Sequence, residues 1–447
     1  MAPPAQAAKI LAITRGPLDR AILMLAGPAV GTTLFQVLFN ITDTFWVGRT
    51  LGAVALAGVS IASYSIWVMV SIGELVGVGL TAVSARRHGE GDPSAAARAA
   101  GTGLALAVIL GLAAGIGGIL LLPPLMQVMN AAPDVARVAR EFLVVQFAGA
   151  FLIYGYFVVA AAFRSAGDTR TPFLLLGSSV LLNVVLDPLL ILGIGPFPEL
   201  GVYGAALATV LTRALACIVG LVLLVKRGMI LPDWSGRTAR TIARVGAPTM
   251  LTGVLFSLIY IWLARVTASF GTPALAALGL GHKIEGVNYM ICIGFAIAAE
   301  TVVGQNLGAG NGARAREAGW KTARFALVPA AIIAIIFLTI PEALARIFTD
   351  DPPTIAAAAL YLRAVAIAQL ALPFEAVLEG ALAGAGFTLW PMTAVVALNA
   401  LRIPLAPLVA LEWGLAGVWW LLSITAMARA AALTAFWRWG RWAESRV

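Results

Sequence analysis

Apolar stretches of about twenty residues recur along this chain at short intervals, each long enough to cross the hydrocarbon core of a bilayer as a helix. Lipid offers backbone amides no partner, so such stretches must satisfy their own hydrogen bonds as helices. Charged residues make up only 11% of the chain and hydrophobic ones 61%, against about 25% charged in a soluble domain. No water-facing surface can be built from that. The fold class expected is an all-α polytopic membrane protein of twelve spans, at roughly 23–48, 53–82, 99–122, 136–162, 172–195, 201–225, 245–269, 275–303, 322–341, 359–383, 391–410 and 414–436.

The formal charge of +9 invites a nucleic-acid reading, which its distribution excludes. Twenty of the 30 Lys and Arg fall in the termini and the even-numbered connections, five in the odd-numbered ones and five within spans. By the positive-inside rule both termini face the cytoplasm of a plasma (inner) membrane. Cys217 and Cys292 both fall within spans and imply neither a disulfide framework nor a CxxC site. Residues 1–22, with Lys9, Arg15 and Arg20, read as a cytoplasmic entry segment rather than a signal peptide.

The chain repeats itself. A shift of 219 residues lays LGAVALAG (51–58) over FGTPALAA (270–277), Gly89 over Gly308, Gly167 over Gly386, and LNVVLDPLL over LRIPLAPLV (401–409). After a short deletion ELGVYG (199–204) meets EWGLAG (412–417). The expected domains are a segment 1–22, a six-helix bundle 23–225, a basic linker 226–244, a second six-helix bundle 245–436 and a tail 437–447. Six spans per half make the repeats parallel and related by a pseudo-two-fold axis along the membrane normal, which suits alternating access around a central cavity.

Under the repeat Asn183 faces Arg402, Asp187 faces Ala406, Asp43 meets the region of Trp262, and Thr209 faces Leu422 or its neighbour. The backbone pattern is kept in both halves; the oxygen ligands stand only in the first. Asn183 and Asp187 share a helix face one turn apart, and Pro188 deprives the Val184 carbonyl of its usual donor. Counted at 1.5 Å per residue, Asp187 and Thr209 lie about 12 Å inside the outer ends of their spans, with Asp43 one turn further out. Two carboxylates, an amide oxygen and a hydroxyl form an oxygen cage for a small alkali cation. The same desolvated carboxylates can instead hold a proton. Beyond such a Na⁺ no metal site is expected, and no cofactor.

The segments ITDTFWVGRTLGAVALA, FRSAGDTRTP, LNVVLDPLL, LGVYGAALATVLTR and VVGQNLGAGN, in this order within a duplicated twelve-span chain, resemble the multidrug and toxic compound extrusion (MATE) family over about residues 17–435. The resemblance implies a V-shaped pair of bundles and a secondary antiporter that exchanges Na⁺ or H⁺ for organic, mostly cationic, compounds. In the DinF-like branch the cation site lies in the first bundle, and the matching positions here are Asp43, Asn183, Asp187 and Thr209. Another branch places acids on the seventh and tenth spans. The seventh here has only Arg265, and the Glu375 and Glu379 of the tenth do not fall on that pattern. H⁺ coupling is therefore favoured, with Na⁺ open.

Glu375, Glu379, Glu74, Tyr156 and Met290 are candidates for a substrate cavity, acids for charge and the others for adaptable walls. Arg402 reads as structural, Arg213 as paired with an acid or with carbonyls, and His282, Lys283 and Glu285 as a local compensated cluster. GEGDP and GAGNG lack the strand and Lys of a phosphate loop and read as turns. The expected partners are small organic cations and membrane lipids, with no nucleic acid, around a monomer. The alternative is a flippase for a lipid-linked saccharide, which would need basic groups for pyrophosphate. An enzyme is not expected, since there is no HExxH, no GxGD or GxSxG within a span, and no paired His for a metal.

Overall fold

The structure is a computed structural model describing residues 4–128 and 132–445, with the side chains of 4–6, 40, 43, 44, 53, 64, 128 and 257 outside the described set. Among the described residues there is no strand. The helices are α1 (Pro4–Thr14), α2 (Leu18–Gly89), α3 (Pro93–Val128), α4 (Pro133–Ala148), α5 (Ala150–Ser165), α6 (Arg170–Leu192) and α7 (Gly201–Lys226). In the second half come α8 (Gly236–Ala268), α9 (Thr272–Gly308), α10 (Gly312–Thr339), α11 (Pro341–Arg346), α12 (Pro352–Gly384), α13 (Leu389–Ala400) and α14 (Arg402–Trp439).

The twelve crossings map onto these helices unevenly. The continuous run α2 holds two, divided at Gly52 (φ 81°), and α14 is divided in the same way at Gly414 (φ 59°). The fourth crossing is the pair α4–α5, bent by 51° at Gly149. Helices overrun the expected spans where the apolar stretch ends but the helix does not: α2 continues to Gly89 through Arg86 and Arg87. Only residues 227–235 of the basic linker are irregular, because Ser235 caps α8 by accepting from the Thr238 amide at 3.3 Å.

The repeat is written in the backbone. Gly52 and Gly271, Gly91 and Gly310, and Gly167 and Gly386 are pairs 219 residues apart, and all six have positive φ. Gly201 and Gly414, 213 apart, complete the set. A Cβ strains such a conformation, so glycine is retained in both copies.

The halves are bound most closely at the face that carries both termini. There α2 and α9 cross backbone to backbone: a Cβ on Gly89 would lie 2.0 Å from the Gln305 carbonyl oxygen, and one on Gly308 would lie 2.1 Å from that of Arg86. Both pairs obey the 219 shift, so the pseudo-two-fold axis passes between them. Further along, Gly79 meets the Ile242 carbonyl and Gly246 the Leu75 carbonyl. Helices in lipid associate by such close van der Waals packing of small residues. Each half also lends its entry to the other. Ile13, Leu18, Ile22 and Leu25 are buried in the second half's core with Val302 and Val303, and Ile242 is buried in the first half's core.

The terminal segments reinforce this closure. Lys9 of α1 pairs with Asp168 at 3.2 Å, while Arg314 donates to the carbonyls of Ile13 and Gly16. At the other terminus Trp442 stacks on Trp437 at 4.0 Å, and the Ser445 carbonyl accepts from Arg86 at 2.6 Å. Asp168 sits in the connection between α5 and α6. Burial opposes its charge, but Lys9 and the hydrogen bonds from Thr171 outweigh that and hold its carboxyl below the usual range.

Candidate functional site

In α6 the Asn183 amide donates to the Asp187 carboxylate at 3.0 Å, and both side chains are fully buried. The Asn183 oxygen has no hydrogen-bond partner among the described residues. Pro188 stands inside the helix directly after Asp187, so the Val184 carbonyl lacks its i+4 donor. An amide oxygen, a carboxylate and a carbonyl thus belong to one helical turn. Opposite it α7 packs closely: a Cβ on Gly204 would meet the Leu190 carbonyl oxygen at 2.4 Å. One to two turns deeper on α7, buried Thr209 hydrogen-bonds its own helix at the Ala205 carbonyl, 3.2 Å.

The first crossing reaches the same level through Arg213. Its guanidinium donates to Gln36 at 2.7 Å and lies 4.8 Å from the Phe39 ring centroid. Arg213 thus binds an amide and an aromatic face of α2. Position 43 is one turn outward of Phe39, and Thr209 one turn outward of Arg213, so the two backbones are level across the α2–α7 contact. The Asp43 side chain itself lies outside the described residues.

The substrate-cavity candidates separate. Glu74 and Glu379 are half-buried, one from each half, and Tyr289, 40% exposed, is within electrostatic reach of both. Glu379 borders a small crevice with Thr249, Phe387 and Met392. Glu375 is not an open charge: Arg429 holds it through two hydrogen bonds, 2.7 and 3.2 Å, and also donates to Asn399. Tyr156 is buried within the first bundle, donating to the Pro172 carbonyl at 3.3 Å. Met290 is half-buried, and its carbonyl accepts from Thr33 at 2.7 Å, joining α9 to α2.

Several polar groups of the second half take partners that the sequence gives no means of reading. Glu285 accepts from Tyr361 (2.8 Å) and Gln369 (3.1 Å) of α12, rather than from Lys283 or His282 beside it. Asn288 extends that chain to Gln369 at 2.9 Å. His282 packs against Tyr260 at a tilt of 44°, ring centroids 4.7 Å apart. Arg429 was not singled out from the sequence at all; its one signal was a lone Arg inside an apolar span. Among the described residues no cluster of three His, Cys, Asp or Glu suits a metal ion.

Twelve crossings in two halves, packed closely at one face, define a multi-pass membrane transporter. The MatE family model matches residues 28–189 and 248–408, and the chain belongs to that family of multidrug efflux transporters. It is 30% identical to a probable multidrug resistance protein NorM of Thermotoga maritima, over 96% of this chain and 94% of that one. A protein of the same name from Pseudomonas aeruginosa is 32% identical over 94% and 89% of the two chains. Among solved structures, a MOP superfamily transporter from Pyrococcus furiosus superposes with a TM-score of 0.85 at 26% identity, over 96% of this chain and 97% of that one. The relatives are transporters, not enzymes.

Proposed function

We propose that this protein is a secondary antiporter that exports lipophilic, cationic small molecules in exchange for H⁺. The single observation behind the reading is the Asn183–Asp187 pair, fully buried beside a proline-freed carbonyl. An ionised Asp at mid-membrane costs roughly 2.5–3.5 kcal/mol on insertion scales, which a bound H⁺ or Na⁺ offsets. Asp43, Asn183, Asp187 and Thr209 form the coupling site. H⁺ is preferred to Na⁺ because the seventh span has no acid, only Arg265, and Glu375 of the tenth is committed to Arg429. The half-buried acids Glu74 and Glu379 favour a cationic substrate, and oppose the pyrophosphate of a lipid-linked saccharide.

In this cycle the bundles 23–225 and 245–436 rock about the α2–α9 crossing. The closed face is cytoplasmic, in an inner membrane, and the monomer is the working unit. A coupling ion arriving from outside binds Asp43 and Asp187, rearranges the first bundle and expels substrate. A potential of 100 mV adds about 2.3 kcal/mol per charge carried inward.

Dye efflux from proteoliposomes under separate pH and Na⁺ gradients tests the reading. Efflux should follow the pH gradient, and Asp187→Asn should reduce it at least about tenfold, a transition-state or coupling loss of about 1.4 kcal/mol. Efflux driven by Na⁺ alone refutes H⁺ coupling. Unchanged efflux in Asp187→Asn removes this carboxylate from the mechanism.

A further inference from the structure

Arg402, 2% exposed, occupies the repeat position of Asn183. The match is geometric as well as sequential. The close contact of the Leu190 carbonyl with Gly204 in the first bundle recurs as the Val409 carbonyl with Gly417 in the second. These two contacts fix the register: α6 maps onto α13–α14 with a shift of 219, and α7 onto the later part of α14 with a shift of 213. Leu422 is therefore the counterpart of Thr209, and Thr425 that of Thr212.

In that frame the Arg402 head is informative. Nε donates to the Thr425 hydroxyl at 2.8 Å and Nη2 to the Leu422 carbonyl at 3.2 Å, while Nη1 has no hydrogen-bond partner among the described residues. The guanidinium so lies between the two helices, at the repeat positions that Asn183 of α6 and Thr209 and Thr212 of α7 occupy in the first bundle. The Asp187 counterpart is Ala406, fully buried. The carbonyl freed by Pro407, that of Ile403, accepts from Trp262 Nε1 at 3.0 Å. Facing Arg402 from the packed elements are Tyr260 of α8, 6.0 Å from centroid to guanidinium carbon, Glu285 of α9, Glu375 of α12 and Arg429 of α14. His282 of α9 stands behind Tyr260.

We propose that Arg402 is a tethered cation: its guanidinium fills, in the second bundle, the place that the first bundle leaves for its coupling ion. The second bundle is then held permanently in ion-loaded packing, and the switch is confined to the first. What the first bundle's place does rests on the coupling-site reading above; the requirement for a positive charge at Arg402 does not.

Two experiments on the full chain separate these. In purified protein, Arg402→Lys should keep most of the thermal midpoint, and Arg402→Ala and Arg402→Met should lower it. About 10 mM guanidinium should restore Arg402→Ala by mass action, whereas urea, its neutral isostere, should not. An Arg402→Met protein as stable as wild type, or equal rescue by both additives, overturns the tethered cation whatever Asp187 does.

The second experiment rebuilds the first bundle's pair in the second, as Arg402→Asn with Ala406→Asp. The steepness of efflux against the driving ion should rise from about one towards about two, the limit set by two sites. Ala406→Asp alone should leave the steepness unchanged, because Arg402 neutralises the new carboxylate. A folded, transporting double variant with unchanged steepness overturns the equivalence of the two places.

Discussion

The reciprocal glycine crossing between α2 and α9 can be turned against the closed face. Alanine at Gly308 would set a methyl carbon 2.1 Å from the Arg86 carbonyl oxygen, and alanine at Gly89 one 2.0 Å from that of Gln305. Carbon contacts settle near 3.5 Å, so the helices must part by about 1.4 Å at each. The obstructing atoms are backbone and cannot swing aside. Overpacking of this kind costs about 1–3 kcal/mol per site. If the bundles rock, that penalty falls only on the state in which the helices touch. Together the two substitutions cost about 2–6 kcal/mol, the upper end of which reaches the roughly 5.5 kcal/mol that moves an equilibrium from 99:1 to 1:99. Spin labels at the exposed positions Arg170 of α6 and Ala313 of α10, with Cys217 and Cys292 replaced, report the separation of the halves by pulsed electron resonance. The double variant Gly89→Ala with Gly308→Ala should convert the distance distribution to a longer one, and each single variant should give a mixture. Folded variants that melt earlier yet keep the original distance would show that the crossing is packing alone, and the reasoning would fail.

At Asp168 the sign of the pH effect is fixed by its lowered carboxyl. The latch it forms with Lys9 is fully present above the ordinary Asp value of about 3.9 and is lost as pH falls through the lower folded value. Hydrogen exchange of α1 should stay slow at pH 5 and quicken in strong acid, and Lys9→Ala should quicken it already at pH 7. Glu375→Gln leaves Arg429 buried without its ion pair and should cost about 3–5 kcal/mol, read as a lower melting midpoint in detergent. Replacing both partners by apolar residues, Glu375→Leu with Arg429→Met, should recover most of that.

The spans were legible because lipid leaves no freedom in how an apolar run of about twenty residues satisfies its backbone. The repeat was legible because glycine and proline positions encode conformation directly, as Gly167 and Gly386 do with φ of 80° and 74°. That Asn183 and Asp187 share a face could be read because four residues along a helix are neighbours by construction; the bond between them could not. Contacts between helices carry no such signal. Glu375 and Arg429 are 54 residues apart, and neither position announces the other. Glu285 has Lys283 and His282 beside it in sequence, yet helix rotation turns it towards Tyr361 and Gln369. The bend at Gly149 was hidden as well, since φ of −84° there is open to any residue.

The indoles of Trp437 and Trp442 lie 4.0 Å apart and 6° from parallel, fully shielded, with Arg316 above the latter. Ser445, three residues on, bonds both the Trp442 and Ala385 carbonyls and is gripped by Arg86 of the other half. Two chromophores so aligned couple as an exciton pair, and if the halves part, the segment that keeps them in register is pulled. The near-ultraviolet dichroism of this stack offers an intrinsic optical signal of opening, with no dye attached.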